Sequence, residues 1–339
     1  MESAFATFLS DHAGQVNEFM AACYRGKTDN ADIDRYLYAP LAEFSEHGGK
    51  RHRPLICMLA ALAVGGSPER ALRSAAAIEH FQSAALIHDD IADHGQLRRG
   101  IPCMYLTEGL GLAINCGDYE LASVTGSVLE DDELEDAVKV RVLKELSAMT
   151  IRTIEGQALD LGWVRDGRFD ITIHDYLTMA TLKTAHYSGA VPLAIGAILG
   201  GGSERQIEAL RSFGMGCGLA FQIQDDLLNV VGEHNPHDKD FRCDITEGKR
   251  TLIAVHSLRH ADPELHDELL GLLTSGATDP AELARAVEIF ESTGSIEFAH
   301  TYALDLIDRA KGILADVDLA DECRSLLFSM ADFFVERLK

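Results

Sequence analysis

Two long stretches of the chain place apolar residues at helical spacing around nearly the whole axis: "ALRSAAAIEHFQSAALIH" (71–88) and "IEALRSFGMGCGLAFQIQDDLLNVV" (207–231). A helix with one apolar stripe lies on a surface, whereas one apolar on nearly all faces must be surrounded by other elements. These two therefore read as central helices, and the rest of the chain has to wrap around them. A third run, "PLICMLAALAV" (54–64), follows the same i, i+3, i+4 recurrence, and no run of alternating β-branched residues competes with it. Gly-rich breaks at 48–49, 65–66, 109–111 and 200–202 separate the helical segments, and Ser67-Pro68-Glu69 and Ser203-Glu204 carry helix-start chemistry. The expectation is an all-α fold, a single-domain bundle of roughly a dozen helices. Composition agrees: 47% of residues are hydrophobic but only 7% aromatic, so Ala and Leu fill the apolar positions and favour helices over sheets.

Charge then limits the ligand. A net charge of −24 makes the chain a poor general binder of nucleic acid or of an anionic membrane. An anionic ligand would have to be held by a local basic cluster or by bound cations. The seven Cys show no CxxC or Cys/His spacing for zinc and read as thiols in a reducing cytosol. The N-terminus has no basic and apolar signal pattern, and the longest apolar run, "SGAVPLAIGAILGGG" (188–202), is short and broken by Pro and Gly. A cytoplasmic protein without an integral membrane segment is expected. The acidic run "EDDELED" (130–136) reads as a solvated loop and helix start.

Against this background, two carboxylate pairs stand out. In "LIHDDIADHGQLRRG" (86–100), Asp89 and Asp93 are four apart and share one helix face, while Asp90 lies about 100° around the axis. "FQIQDDLLNVVG" (221–232) repeats the device with Asp225 and Asp226. Charges at the ends of apolar helices are costly unless something compensates them. Oxygen-only donors suit a hard cation, and Mg²⁺ characteristically keeps waters and takes substrate phosphates as further ligands. If both helices aim their Asp ends at one cavity mouth, metal ions and a diphosphate would provide the compensation. The bland alternative is a pair of solvated helix ends. Basic motifs beside Gly turns weigh against it: "GGKRHRP" (48–54) with Lys50, Arg51 and Arg53, "RRG" (98–100), "LKTAHYS" (182–188) with Lys183 and Thr184, and "DKDFRCDITEGKRT" (238–251) with Lys239, Lys249 and Arg250.

In combination and order, "GGKRHRP", "DDIAD", "RRG", "GQALD" (156–160), "LKT", "FQIQDD" and "EGKRT" resemble the trans-isoprenyl diphosphate synthases of the polyprenyl synthetase family, most of all bacterial geranylgeranyl-type members. The resemblance runs from about residue 20 to the C-terminus, so the whole chain is expected to be one domain with a peripheral N-terminal segment of about 20 residues. It implies the isoprenoid synthase class I fold, an all-α bundle around a deep apolar cavity, usually as a homodimer. It implies head-to-tail joining of isopentenyl diphosphate to an allylic diphosphate. In the family, three Mg²⁺ ions help the allylic diphosphate leave, the isopentenyl double bond attacks the carbocation and a proton is lost. Carried over by motif, Asp89 and Asp93 are ligands of the first metal cluster with Asp90 in support, and Asp225 is the second with Asp226 in support. Lys50, Arg53, Gln82 and Arg99 correspond to binders of isopentenyl diphosphate. Arg98, Lys183, Lys239 and Lys249 correspond to binders of the allylic diphosphate, and Thr184 and Gln222 to polar groups lining the ionising C–O bond. The chain departs from the family at Asn229, where the second motif usually ends in Asp, and at Arg242, where a Gly is usual.

Family members often set product length just before the first Asp. Here those positions are Ala85 and Ala84, and Phe81 lies on their helical face. The expectation is a tail that grows past both Ala and stops near Phe81, about one helical turn on, which favours a C20 product over C15. Replacing Ala84 with Phe would then shorten the product. A farnesyl or longer-chain synthase remains open, as do a class I terpene cyclase matching the spacing of "DDLLNVVGE" (225–233), a non-catalytic subunit of a heteromeric synthase and a scaffold for an apolar ligand.

Overall fold

The computed structural model describes residues 3–47, 49–232 and 242–336. The helices that position the site are α1 (Ala4–Tyr24), α2 (His52–Ala63), α3 (Leu72–Ala92), α4 (Leu110–Leu129), α5 (Asp136–Arg165), α6 (Ile173–Ala180), α7 (Val191–Leu199), α8 (Glu204–Val231), α9 (Leu252–His260), α10 (Ser295–Leu314) and α11 (Asp321–Val335). Seventeen α-helical segments occur among the described residues, more than the dozen expected. Short turns such as Ala31–Ile33, Met104–Thr107 and Cys243–Thr246 account for part of the excess, and a π-helical stretch, Thr181–Ala190, separates α6 from α7.

The two segments apolar on nearly all faces are central. Helix α3 packs most extensively on α4 and also on α2, and α8 is enclosed by the π segment, α7 and α10. Ser203 starts α8 with a capping box: its hydroxyl accepts from the Gln206 N–H while the Gln206 side chain accepts from the Ser203 N–H. Small residues let these helices touch backbone to backbone. A Cβ on Gly189 would lie 2.1 Å from the carbonyl oxygen of Gly214, and one on Gly156 would lie 2.2 Å from the backbone nitrogen of Lys183. The second contact presses α5 against the π segment that carries Lys183 and Thr184.

The all-α expectation holds, and one expectation is corrected. The N-terminal segment is not peripheral: Phe5, Leu9, Val16, Met20 and Tyr24 of α1 are buried, and the Phe5 N–H donates to the Ser329 hydroxyl of α11 at 3.0 Å. The fold also contains a small antiparallel hairpin, Leu97–Arg98 with Ile101–Pro102. Its turn residues Arg99 (φ 56°) and Gly100 (φ 81°) are both left-handed, as a tight type I′ turn requires. No disulfide joins any of the seven Cys among the described residues, and six of them are buried. Among the described residues no helix is long and apolar enough to cross a membrane.

Candidate active site

The Asp-bearing ends of α3 and α8 face one cavity. It is lined by Asp89, Asp93, Asp225 and Asp226, by Lys183, Thr184 and Gln222, and by Lys249 from the segment before α9. The expected convergence of the two carboxylate motifs is therefore present. Three further carboxylates join them: Asp160 of α5, and Asp244 and Glu247 from the stretch that follows α8.

The lysines sit among these acids. Lys183 Nζ donates to Asp160 Oδ2 at 2.6 Å. Lys249 Nζ lies 3.2 Å from both oxygens of Asp93, 3.3 Å from Glu247 and 3.7 Å from Asp160. Burial disfavours charge on either lysine, but the surrounding carboxylates outweigh it and hold both ammonium groups above their ordinary pKa. Burial likewise opposes ionisation of Asp160, and Lys183 and Lys249 overcome it, so this carboxyl stays below its usual value. Asp226 goes the other way. Its burial, reinforced by the negative charges of Asp244 and Asp225, raises its pKa well above normal, against hydrogen bonds from Tyr176 Oη and Gln222 Nε2, each 2.7 Å. Thr184 extends that chain by donating its hydroxyl to Gln222 Oε1 at 2.5 Å. Asp89 accepts from Gln157 Nε2 at 2.8 Å.

Asp90 behaves differently from its neighbours in sequence. The 100° rotation around α3 buries it away from the cavity lining, where Oδ1 accepts Arg98 Nε at 2.9 Å and also Arg98 Nη2. Arg98 was expected at the allylic diphosphate and Asp90 in support of the metal. The two are paired with each other and clamp the hairpin onto the end of α3.

The residues expected to bind isopentenyl diphosphate are not in the polar cavity. Arg53 is buried, donates to the Ser188 hydroxyl at 2.8 Å and to Tyr187 Oη at 3.1 Å, and covers the Tyr187 ring at 4.5 Å. Lys50 Nζ lies 5.4 Å from the Phe333 ring centre. Arg99 donates to the His47 carbonyl at 3.3 Å, and burial pulls its pKa down to about 10. Gln82 is buried, and its Oε1 has no hydrogen-bond partner among the described residues. Lys239 lies outside the described residues.

A second, apolar cavity adjoins the first. Phe81, Ala85, Leu86, Leu121, Thr153 and Ile154 are among its lining residues, and it shares Asp89, Lys183 and Tyr187 with the polar cavity. Phe81 meets Tyr187 edge to face, with ring centres 5.7 Å apart. Ala84 is completely buried and is not among the lining residues, which corrects its expected place in the tail path.

Asn229 also finds a structural use. Its Oδ1 accepts the Asp244 N–H at 3.1 Å and its Nδ2 donates to Cys243 Sγ at 3.1 Å, so it braces the turn that brings in Asp244 and Glu247. Arg242, where a Gly was noted as usual, has φ 60°, the left-handed conformation that glycine favours. Sequence reasoning missed Gln157, Asp160, Tyr176, Tyr187, Asp244 and Glu247. Gln157 and Asp160 carried a signal, since "GQALD" spaces them three apart on one face of α5.

The donors in the polar cavity are carboxylate oxygens. Among the described residues no three His, Cys, Asp or Glu side chains converge closely enough to cage an ion. This set fits a hard divalent cation that completes its shell with water and phosphate oxygens, and it does not fit zinc.

A family model for polyprenyl synthetase matches residues 34–290. The chain is 40% identical over 305 residues to a short chain isoprenyl diphosphate synthase of Methanothermobacter thermautotrophicus, covering 88% of this chain and 90% of that protein. It is 38% identical over 317 residues to a geranylfarnesyl diphosphate synthase of Natronomonas pharaonis, covering 89% and 90%. Both are archaeal, and the expected bacterial likeness is not borne out. The crystal structure of a geranylgeranyl pyrophosphate synthetase from Pyrococcus horikoshii superposes with a TM-score of 0.89 at 30% identity, covering 98% of each chain. A geranylgeranyl pyrophosphate synthase from Corynebacterium glutamicum, solved with isoprenyl diphosphate and magnesium, superposes at 0.84 and 30% identity, covering 99% of each chain.

Proposed function

The chain belongs to the polyprenyl synthetase family, and from that premise we propose that its two adjoining cavities condense isopentenyl diphosphate head-to-tail with an allylic diphosphate to give geranylgeranyl diphosphate. It is a trans-prenyltransferase. The observation that carries the substrate assignment is the junction at Asp89, Lys183 and Tyr187, where a cavity of carboxylates and lysines opens onto an apolar one. A diphosphate and a hydrocarbon tail, joined at one carbon, are the two halves such a junction fits.

Divalent cations, three by family expectation, would be held by Asp89, Asp93 and Asp225 and would supply neutralising positive charge to the departing diphosphate. The protein's own groups do the rest. Lys183 and Lys249 offer ammonium donors to the diphosphate oxygens from the cavity wall. Thr184 and Gln222, fixed by their chain to Asp226, set oxygen dipoles beside the carbon that loses its leaving group. Tyr187 separates this point from the corner of Lys50, Arg53, Gln82 and Arg99, which we assign to the second diphosphate. Gln82 Oε1, without a hydrogen-bond partner among the described residues, and the guanidinium of Arg99, whose charge is disfavoured by burial and by Arg53 nearby, are what such a ligand would use. Ile151 and Ile154 of α5 are 55% and 57% exposed, an apolar face that supports the homodimer.

Two relatives named for geranylfarnesyl diphosphate keep a C25 product as the second reading. The deciding experiment incubates the protein with isopentenyl diphosphate and, separately, C5, C10 and C15 allylic diphosphates, with and without Mg²⁺, and reads products by mass spectrometry. Metal-dependent elongation ending at C20 is expected. An end at C15 rejects Phe81 as the floor of the tail cavity, and no elongation from any primer overturns the synthase reading.

A further inference from the structure

Lys249 occupies an unusual position for a residue that should meet an anion. Its ammonium straddles both oxygens of Asp93 at 3.2 Å, with side-chain exposures of only 12% and 8% for the pair. Asp93 is one of the two carboxylates that should take a cation. An ammonium in that position uses the same lone pairs and repels an incoming divalent ion. A cation can therefore engage Asp93 fully only if Lys249 moves off it. A buried ammonium deprived of its partner is costly unless a new anion is at hand. Asp160 and Glu247 stay beside the ammonium, at 3.7 and 3.3 Å, but Asp160 Oδ2 is already committed to Lys183 at 2.6 Å and Glu247 is 26% exposed, so neither replaces the buried two-oxygen contact that Asp93 gives. The diphosphate is the anion that can complete the exchange.

We propose that Lys249 is a built-in lock on the first metal cluster: it holds Asp93 in the ligand-free protein and releases it only when a diphosphate arrives to take the ammonium. Metal and diphosphate then bind as a coupled pair, since each frees the partner of the other. Asp160, the carboxylate shared by Lys183 and Lys249, keeps the released ammonium in the cavity instead of letting it swing to solvent. This inference rests on the diphosphate reading of the polar cavity, but its test needs no turnover.

The probes are Mn²⁺, followed by electron paramagnetic resonance, and inorganic pyrophosphate. In the unsubstituted protein, pyrophosphate should tighten Mn²⁺ binding by about 10-fold or more, within the ordinary range of coupling between sites. Lys249→Met should tighten Mn²⁺ binding in the absence of pyrophosphate by about 10-fold and should shrink the pyrophosphate effect. Lys249→Gln repeats the measurement if the Met variant unfolds. The decisive comparison is a double-mutant cycle. In an Asp93→Asn background, Lys249→Met should change Mn²⁺ affinity by less than about 2-fold, because the locked carboxylate is gone. An undiminished effect in that background means that only the general field of the lysine matters, and the lock is wrong. Unchanged or weaker Mn²⁺ binding in Lys249→Met overturns it outright. A protein that fails to elongate any primer yet shows this cycle loses its synthase reading and keeps the lock.

Discussion

Arg51 shows how much a single residue of a basic motif can differ from its neighbours. It sits at φ 50° and is buried, and its guanidinium is consumed by an ion pair with Glu79, by the Asn17 side chain at 2.9 Å and by the Ser45 carbonyl at 2.5 Å. A left-handed non-glycine residue costs about 1–3 kcal/mol, and persists only where its surroundings fix it. Here they do, and the proposed assignment gives the second substrate to Lys50 and Arg53 on either side, not to Arg51. Arg51→Met should cost about 3–5 kcal/mol in urea unfolding, because Glu79 is left buried without its counter-charge, and adding Glu79→Met should restore most of the loss. A single-variant loss below about 1 kcal/mol would show that the pair is not what holds the corner. The neighbouring residue carries a pH prediction. His80 Nδ1 lies 2.8 Å from Glu120 in the core; burial disfavours the imidazolium, but the Glu120 charge prevails and lifts the pKa to about 10. The ordinary value is about 6.5, so the folded state binds the proton more tightly than the unfolded chain. That stabilisation is complete below about pH 6.5 and is lost as pH rises through the folded value. The difference in unfolding midpoint between the natural protein and His80→Gln should be largest near pH 6 and shrink steadily toward pH 10. A constant difference would mean that His80 is neutral in the fold.

At the level of helices, the π stretch Thr181–Ala190 and the crossing of α5 over it decide where Lys183 and Thr184 point. Gly156 is the contact, and there a methyl group would have to displace the Lys183 backbone itself, not a flexible side chain. Gly156→Ala should therefore cost about 1–3 kcal/mol and lower kcat by shifting the lysine. Gly162→Ala, six residues along the same helix with nothing within 4 Å of the new atom, should be neutral or stabilising by up to about 1 kcal/mol. Equal effects of the two would remove the crossing from the account. This is also where sequence reading reached its limit. Central α3 and α8 were evident because enclosure on all sides demands apolar residues on all sides, and the inward turn of Asp89 and Asp93 follows from their four-residue spacing. The outward turn of Asp90 was available from the same geometry. The π register of 181–190 was not, because it depends on how α5 and α8 press on that segment rather than on its own residues. Nor could two-residue strands announce themselves by alternation, although Arg99-Gly100 hinted at a tight turn. The bond network of Asp160 joins positions 93, 183 and 249 only through the folded chain.

Over the whole molecule, the polar cavity, the apolar cavity and the cationic corner meet at Tyr187, which lines both cavities and accepts Arg53. Product length should then depend on how far the apolar cavity runs from this junction before a bulky side chain stops it. The two alanines that the family pattern offers are not equivalent in this fold. Ala85 lines the cavity one turn from Phe81, while Ala84 is fully enclosed by protein. Ala85→Phe should place a ring across the tail path and shorten the main product by at least one C5 unit. Phe81→Ala should open about one helical turn, some 5 Å, and lengthen the product by about one such unit. Ala84→Phe should instead overpack the core, costing about 1–3 kcal/mol while leaving the product distribution in place. Mass spectrometry of the products, beside unfolding midpoints of the three variants, separates these outcomes. Shortening by Ala84→Phe at normal stability would put the tail on the other side of α3 and reverse the assignment. If none of the three changes the product, α3 does not form the floor, and the stopping residue has to be sought among Leu121, Thr153 and Ile154 on the facing helices α4 and α5.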